Sequence, residues 1–275
     1  MSVAPAAKPR PQFHLRVLRS SAIAENMVRV VAGGPELAGF DSKDKTDMYV
    51  KIHFPQSGVD YPEPLDVFGL RDSVPRESWP ATRTYTVRWV DQAALELAID
   101  FVVHGDEGLA GPWAAAALPG DALIISGPGG AYAPDPDADW YLFAGDESAL
   151  PAIAAALESL PPQARGLAFL ETGSPEGITR LTAPEGVDVR WLLRGTEAAG
   201  TSTVLPDAVR DALWPEGRVD VFAHGERGAM KALRDVFFNG RGLDRSQVSL
   251  SGYWAYGRSE DLFQAEKKEP IGKIV

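Results

Sequence analysis

Arg83-Thr84-Tyr85-Thr86-Val87-Arg88 sets a cation two residues from an aromatic ring, and in an extended chain that spacing puts Arg83 and Tyr85 on one face and Thr86 on the other. An arginine can neutralise a pyrophosphate while a neighbouring tyrosine packs its ring against a flat heterocycle. Taken alone the segment reads as a plain strand, since Thr and Tyr are ordinary strand formers. A second group runs Asp100-Phe101-Val102-Val103-His104-Gly105 and continues at Gly108-Leu109-Ala110-Gly111-Pro112-Trp113-Ala114. Leu95, Leu97, Ile99, Phe101 and Val103 alternate onto a core face and leave Glu96, Asp100 and His104 on the other. His104 ends this strand beside a glycine-rich turn. Pro112 suits the first helical position, and the alanine run behind it offers free N–H groups and a positive dipole end to an anion. A strand, turn and helix carrying a surface histidine satisfies the same pattern. No partners stand at metal-ligand spacing from His104, so no metal site is expected.

Gly145-Asp146-Glu147-Ser148 follows an apolar segment, where a strand end turns tightly and a dinucleotide could approach. It is not Gly-x-Gly-x-x-Gly. Two acids here would repel phosphate, so they are expected to cap the following helix or to touch a nicotinamide end; a cap without any ligand fits equally. His224-Gly225-Glu226 repeats the arrangement at a later strand end. Basic residues gather as Lys43, Lys45 and Lys51 in the first half and as Lys267, Lys268 and Lys273 in the tail. One to three cations in a partly dry pocket would orient a multiply charged anion, although a solvated surface is the ordinary place for a lysine.

The elements that must position these groups fall into two kinds. Residues 13–19, 27–31, 47–54, 82–90, 95–103 and 121–126 are short, rich in β-branched and aromatic types and bounded by turn residues, which predicts an antiparallel barrel or sandwich. Residues 55–80, broken by Pro62, Pro64 and Pro75, predict a long loop. After Pro134-Asp135-Pro136-Asp137 strands at 140–144, 166–170, 187–193, 219–223 and 248–251 alternate with helices at 147–160, 203–213 and 228–238. That alternation predicts a parallel α/β sheet, with the division placed at 1–135 and 136–275.

Composition narrows the chemistry. The chain has 275 residues, 45% hydrophobic and 24% charged, which is the profile of a globular protein with room for two domains. Its 38 acids exceed its 27 bases for a net charge of −11, which argues against a nucleic-acid surface. With no cysteine there can be no disulfide, Fe–S cluster or thiolate nucleophile, so any redox chemistry needs a bound cofactor. No run approaches the ~20 apolar residues of a membrane span, and residues 1–12 lack an apolar leader, so a cytoplasmic location is expected.

Arg83 to Thr86, Asp100 to Gly105, Trp113-Ala114, Pro119-Gly120-Asp121, Gly127-Pro128, Gly145 to Ala152 and Ser251-Gly252-Tyr253-Trp254, in that order, resemble the siderophore-interacting protein family, a branch of the ferredoxin-reductase-like flavoproteins. The likeness spans Phe13 to about Leu262. It implies an N-terminal antiparallel FAD-binding β-barrel followed by a parallel-sheet α/β nicotinamide-binding domain. It also implies FAD held by Arg83, Thr84, Tyr85, Thr86, Asp100, Val102, His104, Gly108, Ala110, Trp113 and Ala114. The residues alone would not separate FAD from FMN. Asp146, Glu147, Ser148 and Trp254 are implied at the nicotinamide, and Lys51, Arg258, Lys267 and Lys268 at the ferric siderophore. Electrons from NADH, NADPH or a ferredoxin would pass through the flavin to Fe(III) and release Fe(II). A carrier that binds siderophore or flavin without turnover, or a general NAD(P)H:flavin reductase, are the alternatives. The arginine that follows the Tyr-Trp pair in many relatives is missing here or displaced to Arg258. Tyr132 and Trp254 either cover the ring or belong to the core.

Overall fold

The computed structural model describes residues 10–42, 44–105 and 108–274. Six antiparallel strands, β1 (Gln12–Ala24), β2 (Met27–Gly33), β3 (Tyr49–Phe54), β4 (Ala81–Asp91), β5 (Glu96–Val102) and β6 (Ala122–Gly129), close into a barrel in the order β1-β2-β5-β4-β3-β6. Leu15, Val17, Val30, Val50, Ile52, Leu97, Ile99, Phe101 and Ile125 fill it. β1 runs five residues past its expected end at Arg19, because Ser20 to Ala24 keep pairing with Val30 to Met27 across a tight hairpin. The expected loop at 55–80 has its own small core, in which Leu65, Val67 and Leu70 pack on Ile124, and the Gln12 side chain bonds the backbone of Leu65 and Val67.

The second unit is a parallel sheet of β7 (Trp140–Gly145), β8 (Arg165–Thr172), β9 (Gly186–Leu193), β10 (Val219–Glu226) and β11 (Val248–Trp254) in the order β11-β10-β7-β8-β9. The helices are α1 (Ala110–Ala116), α2 (Leu150–Ser159), α3 (Val204–Asp211), α4 (Arg227–Arg234) and α5 (Glu260–Glu266). α1 belongs to the barrel and begins at Ala110, so Pro112 is its third residue rather than its first. α2 begins three residues later than expected, because the Asp146 carbonyl closes a turn with the N–H groups of Ala149 and Leu150. α4 continues as a π-helical turn over Asp235–Gly240. α5 occupies a tail in which the sequence announced no helix. Among the described residues no helix is long and apolar enough to cross a membrane.

The two units share packing. Met27 of β2 is buried with Phe143, Ile153 and Leu157 in the core beneath α2. Arg88 of β4 forms a two-pronged ion pair with Glu158 of α2, at 2.8 and 2.5 Å. Tyr132, between the units, donates to Asp220 at 2.8 Å and lies 4.7 Å from the Phe222 ring. Tyr132 is therefore a core residue.

Candidate active site

β4 carries Arg83, Thr84, Tyr85 and Thr86 along the barrel wall. Tyr85 packs 4.5 Å from Phe101, which lies 5.6 Å from Trp113 of α1, so the wall behind Tyr85 is a run of rings. Burial pushes the Tyr85 phenol up to about 12, the Glu260 charge adds to this and Arg83 opposes it. Thr84 is exposed, whereas Thr86 is buried and shares a side-chain hydrogen bond with Tyr253 of β11. Arg83 donates to the Thr82 carbonyl at 2.8 Å and stands 3.5 Å from the Asp261 carboxylate of α5, whose side chain is 80% exposed. So loose a contact leaves the guanidinium open to a stronger anion.

At the end of β5 His104 is exposed, followed by Gly105 at φ 61° and Gly108 at φ 80°. Both need the left-handed conformation that glycine supplies, and open space lies where a Cβ would stand on each. Ala110 and Ala114 are buried, and Trp113 and Val102 are half-buried. Asp100 shares this strand, yet its carboxylate is buried and held by Arg29 of β2 at 2.6 and 2.7 Å. Arg83, the Tyr85 ring and bare glycine backbone fit FAD: a cation for the pyrophosphate, an aromatic wall for the ring system and room for close backbone approach.

At the strand ends of the second unit, Gly145 admits no side chain, since a Cβ there would stand 2.7 Å from the His224 carbonyl and 2.8 Å from Ala149. Asp146 is fully satisfied, accepting from Ser148 N–H at 2.9 Å and its hydroxyl at 2.5 Å, from Glu226 N–H at 2.8 Å and from Trp254 Nε1 at 2.8 Å. Burial pushes its carboxyl up, those donors draw it down and the Glu147 charge adds to the rise. Trp254 is thus pinned to the strand-end turn. Glu147 pairs with Arg194 at 2.9 Å and accepts from Asn26 of the β1–β2 hairpin at 3.2 Å, which ties the crevice to the barrel. Arg194 also lies 3.7 Å from Glu171. Burial raises Glu171 to about 7, with Asp146 adding and Arg194 opposing. Glu226 caps α4 through Ala229 N–H at 2.9 Å. This corner sets one arginine, Arg194, among four carboxylates, those of Asp146, Glu147, Glu171 and Glu226.

The sequence assigns Tyr253 no role of its own and marks His224 only as part of a second strand end like that at Gly145. His224 lies two residues before the end of β10, with its ring 3.9 Å from that of Phe222 and 5.1 Å from that of Tyr253, and its Nε2 3.0 Å from the Ser249 hydroxyl. Burial draws it down to about 3, with Lys267 adding, so it is a neutral ring at neutral pH. With Tyr253 bonded to Thr86, these rings form an apolar wall at the junction of the two units.

Among the cations, Lys51 of β3 is exposed, in register with Thr84 of β4 and Ser126 of β6. Lys267 follows α5, its ammonium 4.7 Å from the Phe263 ring. Desolvation pulls this ammonium below the usual lysine range, Glu260 opposes the fall and the Lys51 charge adds to it. Arg258 does not stand free beside them, because it bonds Glu266 at 2.8 Å. Lys268 and Lys273 are exposed, Lys45 is half-buried, and Lys43 lies outside the described residues.

Profiles of two domain families cover most of the chain: the siderophore-interacting FAD-binding domain matches residues 16–132 and the siderophore-interacting protein domain matches residues 138–257. The ferric vibriobactin reductase ViuB of Vibrio cholerae is 34% identical over 258 residues, 92% of this chain and 93% of that one. The NADPH-dependent ferric-chelate reductase of Escherichia coli is 30% identical over 246 residues, 87% of this chain and 91% of the other. The siderophore-interacting protein SipS of Aeromonas hydrophila superposes with a TM-score of 0.81 at 30% identity, covering 96% of this chain and 99% of that one. With both halves matched and these relatives aligned almost end to end, the chain belongs to the siderophore-interacting protein family.

Proposed function

We propose that the chain is an FAD-dependent ferric-siderophore reductase that draws electrons from NADH or NADPH. The observation that supports this reading is the β4 segment in which Arg83, in only a loose contact with Asp261, stands two residues from Tyr85 and its wall of rings, with Lys51 on the neighbouring strand in register with Thr84. FAD, when bound, supplies the change from two-electron to one-electron chemistry that a nicotinamide donor and a ferric acceptor require.

The chain's own work is binding and exclusion. Arg83 neutralises phosphate, Tyr85 and the Phe101–Trp113 run back the ring system, and Thr86 with Tyr253 closes the junction. His104, Gly105 and Gly108 take up the remainder of the cofactor. Asp146, Glu147, Ser148 and Trp254 shape the donor's approach. Asp146 holds Trp254 in place and the acidic corner steers phosphates away from the strand ends. Lys51 and Lys267 hold the anionic ferric complex by charge, and release comes from the ion itself, because Fe(II) carries less charge than Fe(III) and is a poorer match for the hard oxygen donors of the siderophore. No acid–base residue is needed. We place the division between the two units at residue 135 and the reaction in the cytoplasm, where nicotinamide donors are available. A ferredoxin is the alternative donor.

Anaerobic stopped-flow absorbance tests the reading. Bleaching of the flavin band near ~450 nm by NADH or NADPH, then its return on adding a ferric siderophore while a chelator traps Fe(II), is the expected result. A band that neither nucleotide bleaches would point to a ferredoxin donor or a carrier, and bleaching without reoxidation by the ferric complex would reduce the protein to a general flavin reductase.

A further inference from the structure

Glu266 is an acid in the last turn of α5, directly before one of the two lysines assigned to an anionic substrate, and its charge alone would weaken that substrate's binding. Its contacts suggest another purpose. The carboxylate accepts from Arg227 at 2.5 Å and from Arg258 at 2.8 Å, with a side chain only 14% exposed. Arg227 begins α4 at the end of β10, and Arg258 lies in the turn just before α5, so the pair fastens the helix to two separate segments. Beneath it Phe263 is buried, with the Arg227 guanidinium 5.8 Å from its ring on one side and the Lys267 ammonium 4.7 Å away on another. The Lys267 N–H bonds the Phe263 carbonyl at 3.1 Å. The chain beyond is held too: Lys231 donates to the Ile271 carbonyl at 2.6 Å, Arg234 to that of Ile274 at 3.2 Å, and a Cβ on Gly272 would fall 2.0 Å from the Glu266 carbonyl. The root of Lys267 is therefore anchored from both directions, while in the first turn of α5 Asp261 makes only the loose contact with Arg83.

We propose that Glu266 is a positioning residue for the anionic ferric substrate: clamped between Arg227 and Arg258, it fixes the last turn of α5 and sets where Lys267 stands relative to Lys51. This inference rests on the substrate placement given under the proposed function. It also reassigns Arg258 from an anchor that touches substrate to one jaw of the clamp.

Position and charge predict opposite signs, which makes the test direct. The FAD-loaded full chain is titrated with the trianionic iron(III) complex of a synthetic hexadentate tris-catecholamide, and Kd is read from quenching of protein fluorescence. A clamp predicts that Glu266→Gln raises Kd about three- to tenfold, the scale of one mispositioned charged contact, and that the same change does not raise it when Lys267 is already Ala. An unchanged or lower Kd for Glu266→Gln overturns the proposal, as does an equal rise in the Lys267→Ala background. If Lys51→Ala and Lys267→Ala both leave Kd unaltered, the substrate placement itself fails and the inference falls with it. Melting temperature and the FAD-to-protein ratio monitor folding. Should Glu266→Gln lose FAD, the more exposed Arg258→Gln carries the same test: a rise in Kd confined to chains that retain Lys267 supports the clamp, and a rise that persists without Lys267 means that Arg258 touches the substrate.

Discussion

A phenylalanine at position 132 would fill the space of the tyrosine yet take from Asp220 the hydroxyl that bonds it at 2.8 Å, leaving the Asp135 N–H at 3.0 Å. Because a bond to a buried charged group is worth about 1.5–3 kcal/mol, Tyr132→Phe is expected to lower the melting temperature by about 2–4 °C per kcal/mol. Flavin content should not change, since the residue is part of the core. Scanning calorimetry with an absorbance ratio checks both. Glu171 gives a pH signature of the opposite sense to most acids. Its carboxyl is raised to about 7 in the folded chain, so the native state binds more protons than the unfolded state between the ordinary glutamate value and 7, and stability falls as pH rises through that window. Glu171→Gln removes the dependence: the variant should gain on the order of 1–3 kcal/mol relative to wild type at pH 8 and little at pH 4. Urea melts at the two pH values decide it. An equal effect at both would mean that the native carboxyl titrates no differently from that of the unfolded chain.

Among the elements, α5 is firmly held through Glu266 in its last turn, while Asp261 in its first turn makes only a loose contact with Arg83. Asp261 is a carboxylate of the chain standing where a cofactor phosphate would draw on Arg83. An exposed pair of this kind is worth under about 1 kcal/mol, so Asp261→Asn should tighten FAD binding by up to about fivefold, read by flavin fluorescence on reconstitution of the apoprotein; weaker binding would show that Asp261 orients Arg83 rather than competes for it. This helix was also the part least legible in the sequence. Of Glu260 to Glu266 only Phe263 is buried, so there is no apolar stripe to announce a helix, and its hold depends on arginines brought from elsewhere by the fold. The barrel strands and the α/β alternation were legible because burial imposes a period on each. The Arg83 to Thr86 strand was legible by type and spacing, whereas Lys51 stood out from other lysines only through the family pattern. Asp100 shows the limit: its partner Arg29 is set by the register of β2 on β5, which a single strand does not reveal. Tyr253 was missed for the same reason, since the Thr86 that engages it belongs to the other unit.

For the whole molecule, a net charge of −11 would meet an anionic substrate with long-range repulsion, which the two lysines proposed to hold it would have to overcome locally. Salt acts on the two terms unequally. The screening length shrinks from about 30 Å at 0.01 M to about 8 Å at 0.15 M, which removes repulsion from distant carboxylates while a partly desolvated lysine contact is screened less. The association rate of the ferric complex is therefore expected to rise with salt across this range, measured by stopped-flow fluorescence. A steep fall would mean that the basic patch dominates the field at distance.

The burial of Met27 from the barrel beneath α2, next to Phe143, Ile153 and Leu157, bears on inheritance and engineering. A chimera that kept this barrel and borrowed the second half from a distant flavoprotein would bring a thioether plug without its socket, and the donor half would arrive with a hole of its own. Grafts should succeed only when the hairpin around Met27 travels with α2, which makes that hairpin, although it belongs to the barrel in the chain, part of the other half's hardware.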